Sequence, residues 1–175
     1  MERELRDNVL CDAVWNALDI TARACLASAE KLFRERRTEP SFDFAPVIAA
    51  FAKALEIQVN ATLRSALPMI PAKARLVKLE QRSVSLDQAG PLSLGQLARA
   101  IGREPELNQA LTARLNYGSW FTGSLPAILD AFRSVRNTAV HNGRIDQKTA
   151  THWRNRMLGV GTEGVFGQLA RITPR

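Results

Sequence analysis

Two cysteines, two histidines and one tyrosine are all that 175 residues contain of these types, and no apolar run approaches the ~20 residues of a membrane-spanning helix. Cys11 and Cys25 lie on one predicted helix, about 21 Å apart along its axis, too far to pair with each other. They are expected as buried core thiols. The cysteines and histidines never fall at ligand spacing, so neither a metal nor a cofactor is expected. The opening Met1-Glu2-Arg3-Glu4-Leu5-Arg6-Asp7 carries both charge signs and lacks the apolar segment of a secretion signal, from which a cytoplasmic protein without membrane attachment is expected. Hydrophobic residues make up 46% of the chain, which excludes disorder. The length suits one domain over residues 1–175.

Positive charge is abundant and uneven. Residues 1–40 carry seven basic and eight acidic side chains, residues 41–130 nine and seven, and residues 131–175 eight and two. Of the 24 cations 19 are Arg, the side chain best shaped for bidentate phosphate contact and for stacking on bases. An anionic partner is therefore expected, against the plainer reading of a basic surface kept soluble by its charge.

Helical periodicity dominates. Cys11, Trp15, Leu18, Ala22, Cys25, Ala29 and Leu32 step by fours and threes, predicting one long amphipathic helix from about Glu4 to Arg36. Thr38-Glu39-Pro40-Ser41 ends it, and Ser41 or Asp43 can cap a second helix to about Leu67 with Val47, Ile48, Phe51, Leu55, Val59 and Leu63 inward. These two form an antiparallel hairpin. Pro68 and Pro71 then stop helical structure, and residues 72–91 fit an amphipathic helix, a short hairpin or an ordered excursion. Ser93 and Gln96 have capping-box spacing for a helix to about Gly102. A further helix from Glu106 to Asn116 precedes a loop over residues 117–123, where Trp120 and Phe121 read as packing anchors. Ser124 can cap a helix that has Pro126 in its first turn and is stopped by Asn142-Gly143, the glycine supplying a left-handed turn. Short helices over Gln147–Leu158 and Glu163–Ile172, the latter capped by Thr162, complete an all-α, up-and-down bundle in which no strand pattern competes.

The helix before Asn142 holds the chemistry. Arg136-Asn137-Thr138-Ala139-Val140-His141 sets a permanent cation, an amide and a titratable imidazole within about two helical turns. Arg presents a planar donor fork to a phosphate, and His moves protons near neutral pH. On a straight helix Arg133, Asn137 and His141 share a face while Arg136 lies about 140° round from His141, so pairing two copies of the helix about a two-fold axis brings two Arg and two His into one cleft. The plain alternative is a capped helix end with surface cations. Arg133, Arg144, Arg154 and Arg156 are candidate RNA contacts, Glu56 is read as a core-boundary residue before a partner for a motif Arg, and His152 as structural.

Arg136-Asn137 followed by His141, at the end of a helix in a basic all-helical domain, resembles the HEPN superfamily (higher eukaryotes and prokaryotes nucleotide-binding). The resemblance spans the helical layout, including Lys53-Ala54-Leu55-Glu56, and is specific over residues 133–144. It implies a metal-independent endoribonuclease acting as a homodimer, with Arg136 and His141 in a composite site and Asn137 as the polar residue after the Arg. The implied reaction is attack of the 2′-hydroxyl on phosphorus, leaving a cyclic 2′,3′-phosphate and a 5′-hydroxyl. It also implies a defence or toxin setting, with an antitoxin or a larger defence-system partner. Some members carry a Tyr two positions after the His that accepts AMP; Gly143 stands there instead. The alternatives are a non-catalytic HEPN-like module binding nucleotides, RNA or protein, and a helical DNA-binding regulator.

Overall fold

The computed structural model describes residues 1–79, 82–141 and 143–175. It is a predominantly helical bundle with one small hairpin: α1 (Glu2–Leu5), α2 (Cys11–Ala17), α3 (Ile20–Arg36), α4 (Ala45–Ala66), β1 (Leu76–Leu79), β2 (Arg82–Ser85), α5 (Leu94–Arg103), α6 (Pro105–Arg114), α7 (Gly118–Gly123), α8 (Leu125–Val140), α9 (Gln147–Leu158) and α10 (Val165–Ala170). No helix among the described residues is long and apolar enough to cross a membrane.

Helix α4 is the central element, packed against α3, α5, α8, α9 and α10. Its burial goes beyond the predicted stripe: Ala52, Ala54, Gln58, Thr62 and Ala66 join the six apolar positions, as suits a helix enclosed on several sides. Asp43 Oδ1 accepts the Ala45 N–H at 3.0 Å and the Ile145 N–H at 3.0 Å, so one carboxylate starts α4 and anchors the segment after α8. Phe44 adds a backbone bond to Ile145 O at 2.9 Å.

Several expectations are corrected. The single N-terminal helix is three: a π-helical turn over Arg6–Leu10 separates α1 from α2, and the extended Leu18 (ψ 150°) separates α2 from α3. Asp19 caps α3 by accepting the Thr21 and Ala22 N–H groups, while Gln58 Oε1 of α4 accepts the Asp19 N–H at 2.8 Å and makes the break tolerable. The 3.5-residue periodicity runs unbroken through this point because both helices bury the same side. Cys11 is exposed and Cys25 only half-buried, so neither is a core thiol. Of the three readings open for residues 72–91 the structure shows antiparallel pairing of Leu76–Leu79 with Arg82–Ser85, with Val77 and Leu79 buried. The loop expected at 117–123 is mostly α7, entered through a left-handed Tyr117 (φ 55°), with Phe121 buried and Trp120 partly so. Ser124 makes no side-chain cap, and α10 starts from Gly164 rather than Thr162.

Other elements match closely. Ser93 and Gln96 form the reciprocal capping box, and α9 covers Gln147–Leu158 with Asp146 accepting the Thr149 N–H at 2.7 Å. Gly159 closes α9 at φ 89°, where a side chain would be strained.

Candidate functional site

Two polar side chains of α4, Asn60 and Glu56, prepare the site from below. Asn60, buried, accepts the Leu92 N–H at 2.9 Å and donates to Leu92 O at 2.8 Å, fixing the chain as it enters α5. One turn earlier Glu56 accepts the Leu94 N–H at 3.0 Å, so a carboxylate fills one of the donor positions left open at the start of α5. The same Oε1 stands 3.5 Å from Arg136 Nη2 of α8. Glu56 is thus a partner of the motif arginine, the less favoured of its two sequence readings. Arg136 Nη1 also donates to Asn137 Oδ1 at 3.1 Å, so Asn137 holds the guanidinium rather than the imidazole. Arg136 is about one-third exposed at the edge of this cradle.

Two glycines bring α8 onto α5. A Cβ on Gly95 would meet Arg133 Cδ at 2.9 Å, and one on Gly102 would meet Pro126 Cβ at 2.8 Å. Gly95 pairs with Arg133 and Gly102 with Pro126, seven residues apart on each helix in opposite order, so α5 and α8 run antiparallel in close contact. Beside this contact lies a cavity of about 400 Å³ lined by Ser93 and Gln96 from the start of α5, Arg99 and Arg103 further along it, and Asp130, Arg133, Arg136 and Asn137 from α8. Among the described residues four guanidiniums face one carboxylate there. Asp130 lies 3.5 Å from Arg133 Nε and 4.0 Å from Arg103 Nη2.

Sequence reasoning missed Arg99 and Arg103. Their signal was available: Gly95, Arg99 and Arg103 are four apart, hence one face of a strongly amphipathic helix. What could not be read was that this face meets α8.

His141 ends α8. Its N–H bonds Asn137 O at 3.0 Å, its backbone leaves the helix at ψ 39°, and its side chain is exposed. Among the described residues it is not part of the lining of the arginine cavity. Asn142, half of the predicted stop, lies outside the described residues. Gly143 is required by space, since its N–H bonds Thr138 O at 2.9 Å and a Cβ there would collide with Thr138 Cγ2.

The remaining candidates are dispersed. Arg154 is a correction: it forks onto the fully buried Glu30 with two 2.6 Å bonds and lies over the Phe33 ring at 5.1 Å, which engages it inside the fold and removes it from the RNA contacts. Arg34 joins the same Glu30 and also Glu4, tying α1, α3 and α9 together. Arg144 is exposed and donates to Pro40 O at 3.2 Å. Arg156 lies over Trp153 and lines a separate cavity with the exposed His152, whose ring meets Trp153 edge-on.

The chain matches no protein-family model, no curated protein and no solved structure. Its own residues and geometry carry the functional reading.

Proposed function

We propose that the protein is a metal-independent endoribonuclease of HEPN type that works as a homodimer. The observation that carries this reading is Arg136: a guanidinium steadied by Glu56 and Asn137 at the rim of an arginine-lined cavity, on the helix that ends in an exposed His141. An exposed imidazole one turn beyond Asn137, outside the lining of its own chain's Arg pocket, suits a composite site in which the last turns of two α8 helices meet and supply both groups from each chain.

In the reaction so assembled, the 2′-oxygen attacks phosphorus and the bond to the 5′-oxygen breaks. One His141 takes the 2′-hydroxyl proton and the other, protonated, gives one to the departing 5′-oxygen. Arg136 neutralises the extra negative charge on the phosphorane oxygens, a role worth several kcal/mol for preorganised donors (~3 kcal/mol). The ends left are a cyclic 2′,3′-phosphate and a 5′-hydroxyl. A cytoplasmic toxin or defence role, with an antitoxin or a larger assembly as partner, belongs to the same proposal.

The test is incubation of wild type and His141→Ala with RNA in the presence of EDTA, followed by end-group analysis and a matched 2′-deoxy substrate. Cyclic phosphate ends from the wild type alone, with the deoxy strand intact, are expected. Cutting retained by His141→Ala, or lost on chelation, overturns the mechanism. A second reading, a non-catalytic anion-binding module, draws support from Arg136 being engaged by Glu56 and Asn137 within its own chain. It predicts binding without cleavage in the same assay.

A further inference from the structure

The arrangement of cations in the α5–α8 cavity differs from that of a pocket for one phosphate. Arg99 and Arg103 stand one turn apart on α5, about 6 Å along its axis, and Arg133 and Arg136 nearly one turn apart on the antiparallel α8. By the Gly95–Arg133 and Gly102–Pro126 register the four cations follow one another along the groove in the order Arg103, Arg99, Arg133, Arg136 rather than converging on one point, which suits several anionic groups in series. Among the described residues Arg99 has no carboxylate within ion-pair distance, and Asp130 alone stands between Arg103 and Arg133. Among the described residues no aromatic side chain lines the cavity, so recognition falls on the backbone and on guanidinium planes rather than on ring stacking. With about 400 Å³ the space is that of a nucleotide or two, not of a duplex.

We propose that this cleft is a track for the sugar-phosphate backbone of single-stranded RNA, with Arg103, Arg99 and Arg133 holding successive phosphates and leading the strand to Arg136. Its direction toward Arg136 rests on the ribonuclease reading; binding in the cleft does not. Gly95 is a positioning residue for the track, because its missing Cβ lets the Arg133 stem cross α5 and lay its guanidinium in the cleft.

The experiment is fluorescence anisotropy of a labelled oligouridylate with the full-length His141→Ala chain over a salt series. Adding Arg99→Gln and Arg103→Gln together removes two phosphate contacts. Affinity falls by at least about tenfold, and the slope of log affinity against log salt becomes shallower by about 1.4, at ~0.7 per contact. Gly95→Ala, which touches no charge, also weakens binding by expelling Arg133. Thermal melting checks that each variant folds. Unchanged affinity and slope in the double variant overturn the track. So does tighter binding of duplex RNA, or equal competition by polyglutamate, which identifies a protein-type acidic partner.

The two proposals fail separately. If wild type cuts no RNA while the His141→Ala chain binds with the stated slope, the ribonuclease reading falls and the track stands. If wild type cuts RNA and the Arg99/Arg103 variant binds and cuts as well as wild type, the track falls and the ribonuclease reading stands.

Discussion

Glu56 of α4 and Arg136 of α8 meet at 3.5 Å through the same carboxylate oxygen that accepts the Leu94 N–H at the start of α5. One side chain therefore joins three helices and aims the motif guanidinium. Glu56→Gln keeps a carbonyl oxygen for Leu94 and loses the charge facing Arg136. The expected outcome is near-normal stability with RNA cleavage reduced at least about tenfold, about 1.4 kcal/mol in the barrier. Glu56→Ala loses the acceptor as well and lowers stability by about 1.5–3 kcal/mol in denaturant unfolding. Equal activity of Glu56→Gln and wild type contradicts an aiming role.

The two α5 glycines predict opposite behaviour for the same substitution. At Gly102 an added methyl meets the Pro126 ring, which is rigid, so Gly102→Ala forces α5 from α8 and destabilises by about 1–3 kcal/mol despite alanine's better helix propensity. At Gly95 the methyl meets the flexible stem of Arg133, which swings away. Gly95→Ala is expected to melt at or above the wild-type temperature. A comparable loss of Tm in both variants refutes the distinction.

Arg154 shows how a surface-looking cation can be structural. Arg154→Ala leaves Glu30 buried beside Arg34 alone, and Glu30→Ala leaves Arg154 without its carboxylate and Arg34 with Glu4 only. Each is expected to cost about 3–5 kcal/mol in unfolding free energy, whereas Arg156→Ala at its exposed position changes stability by about 0.5 kcal/mol or less. RNA affinity in Arg154→Ala, measured where the chain is folded, stays near wild type.

These residues also mark what the sequence made legible. Local signals read well: the Ser93/Gln96 box, Asp43 at the start of α4 and the Gly159 stop depend on neighbours within a few positions. The break at Leu18–Asp19 was hidden because its compensation, Gln58, lies 39 residues away. Arg99 and Arg103 could be placed on a helix face, but only the Gly95–Arg133 and Gly102–Pro126 contacts reveal that this face borders α8. Arg154 looked like Arg156 because nothing local announces Glu30 as its buried partner.

Asp146 at the head of α9 gives a pH signature. The Thr149 backbone N–H, its strongest influence, holds the carboxyl below the ordinary carboxylate range. A folded-state value below the unfolded one means that the stabilisation is present above the unfolded value and lost as pH falls through the folded one. Asp146→Asn keeps a capping oxygen that does not titrate. The stability difference between wild type and Asp146→Asn should therefore shrink on acidification below the ordinary carboxylate range; a difference that stays constant with pH disproves the assignment.

The composite site makes its own demand on the end of α8. Val140 is 53% exposed beside His141, an apolar side chain in the turn that the dimer proposal sets against its twin. Val140→Glu places two like charges face to face across that two-fold axis, while in the isolated chain it alters only an exposed position. The expected result is a folded protein of unchanged helicity that runs as a monomer in light scattering and cleaves RNA at least about 100-fold more slowly, the lower end of what a lost general acid or base costs. A Val140→Glu protein that remains dimeric and active would move the interface away from His141.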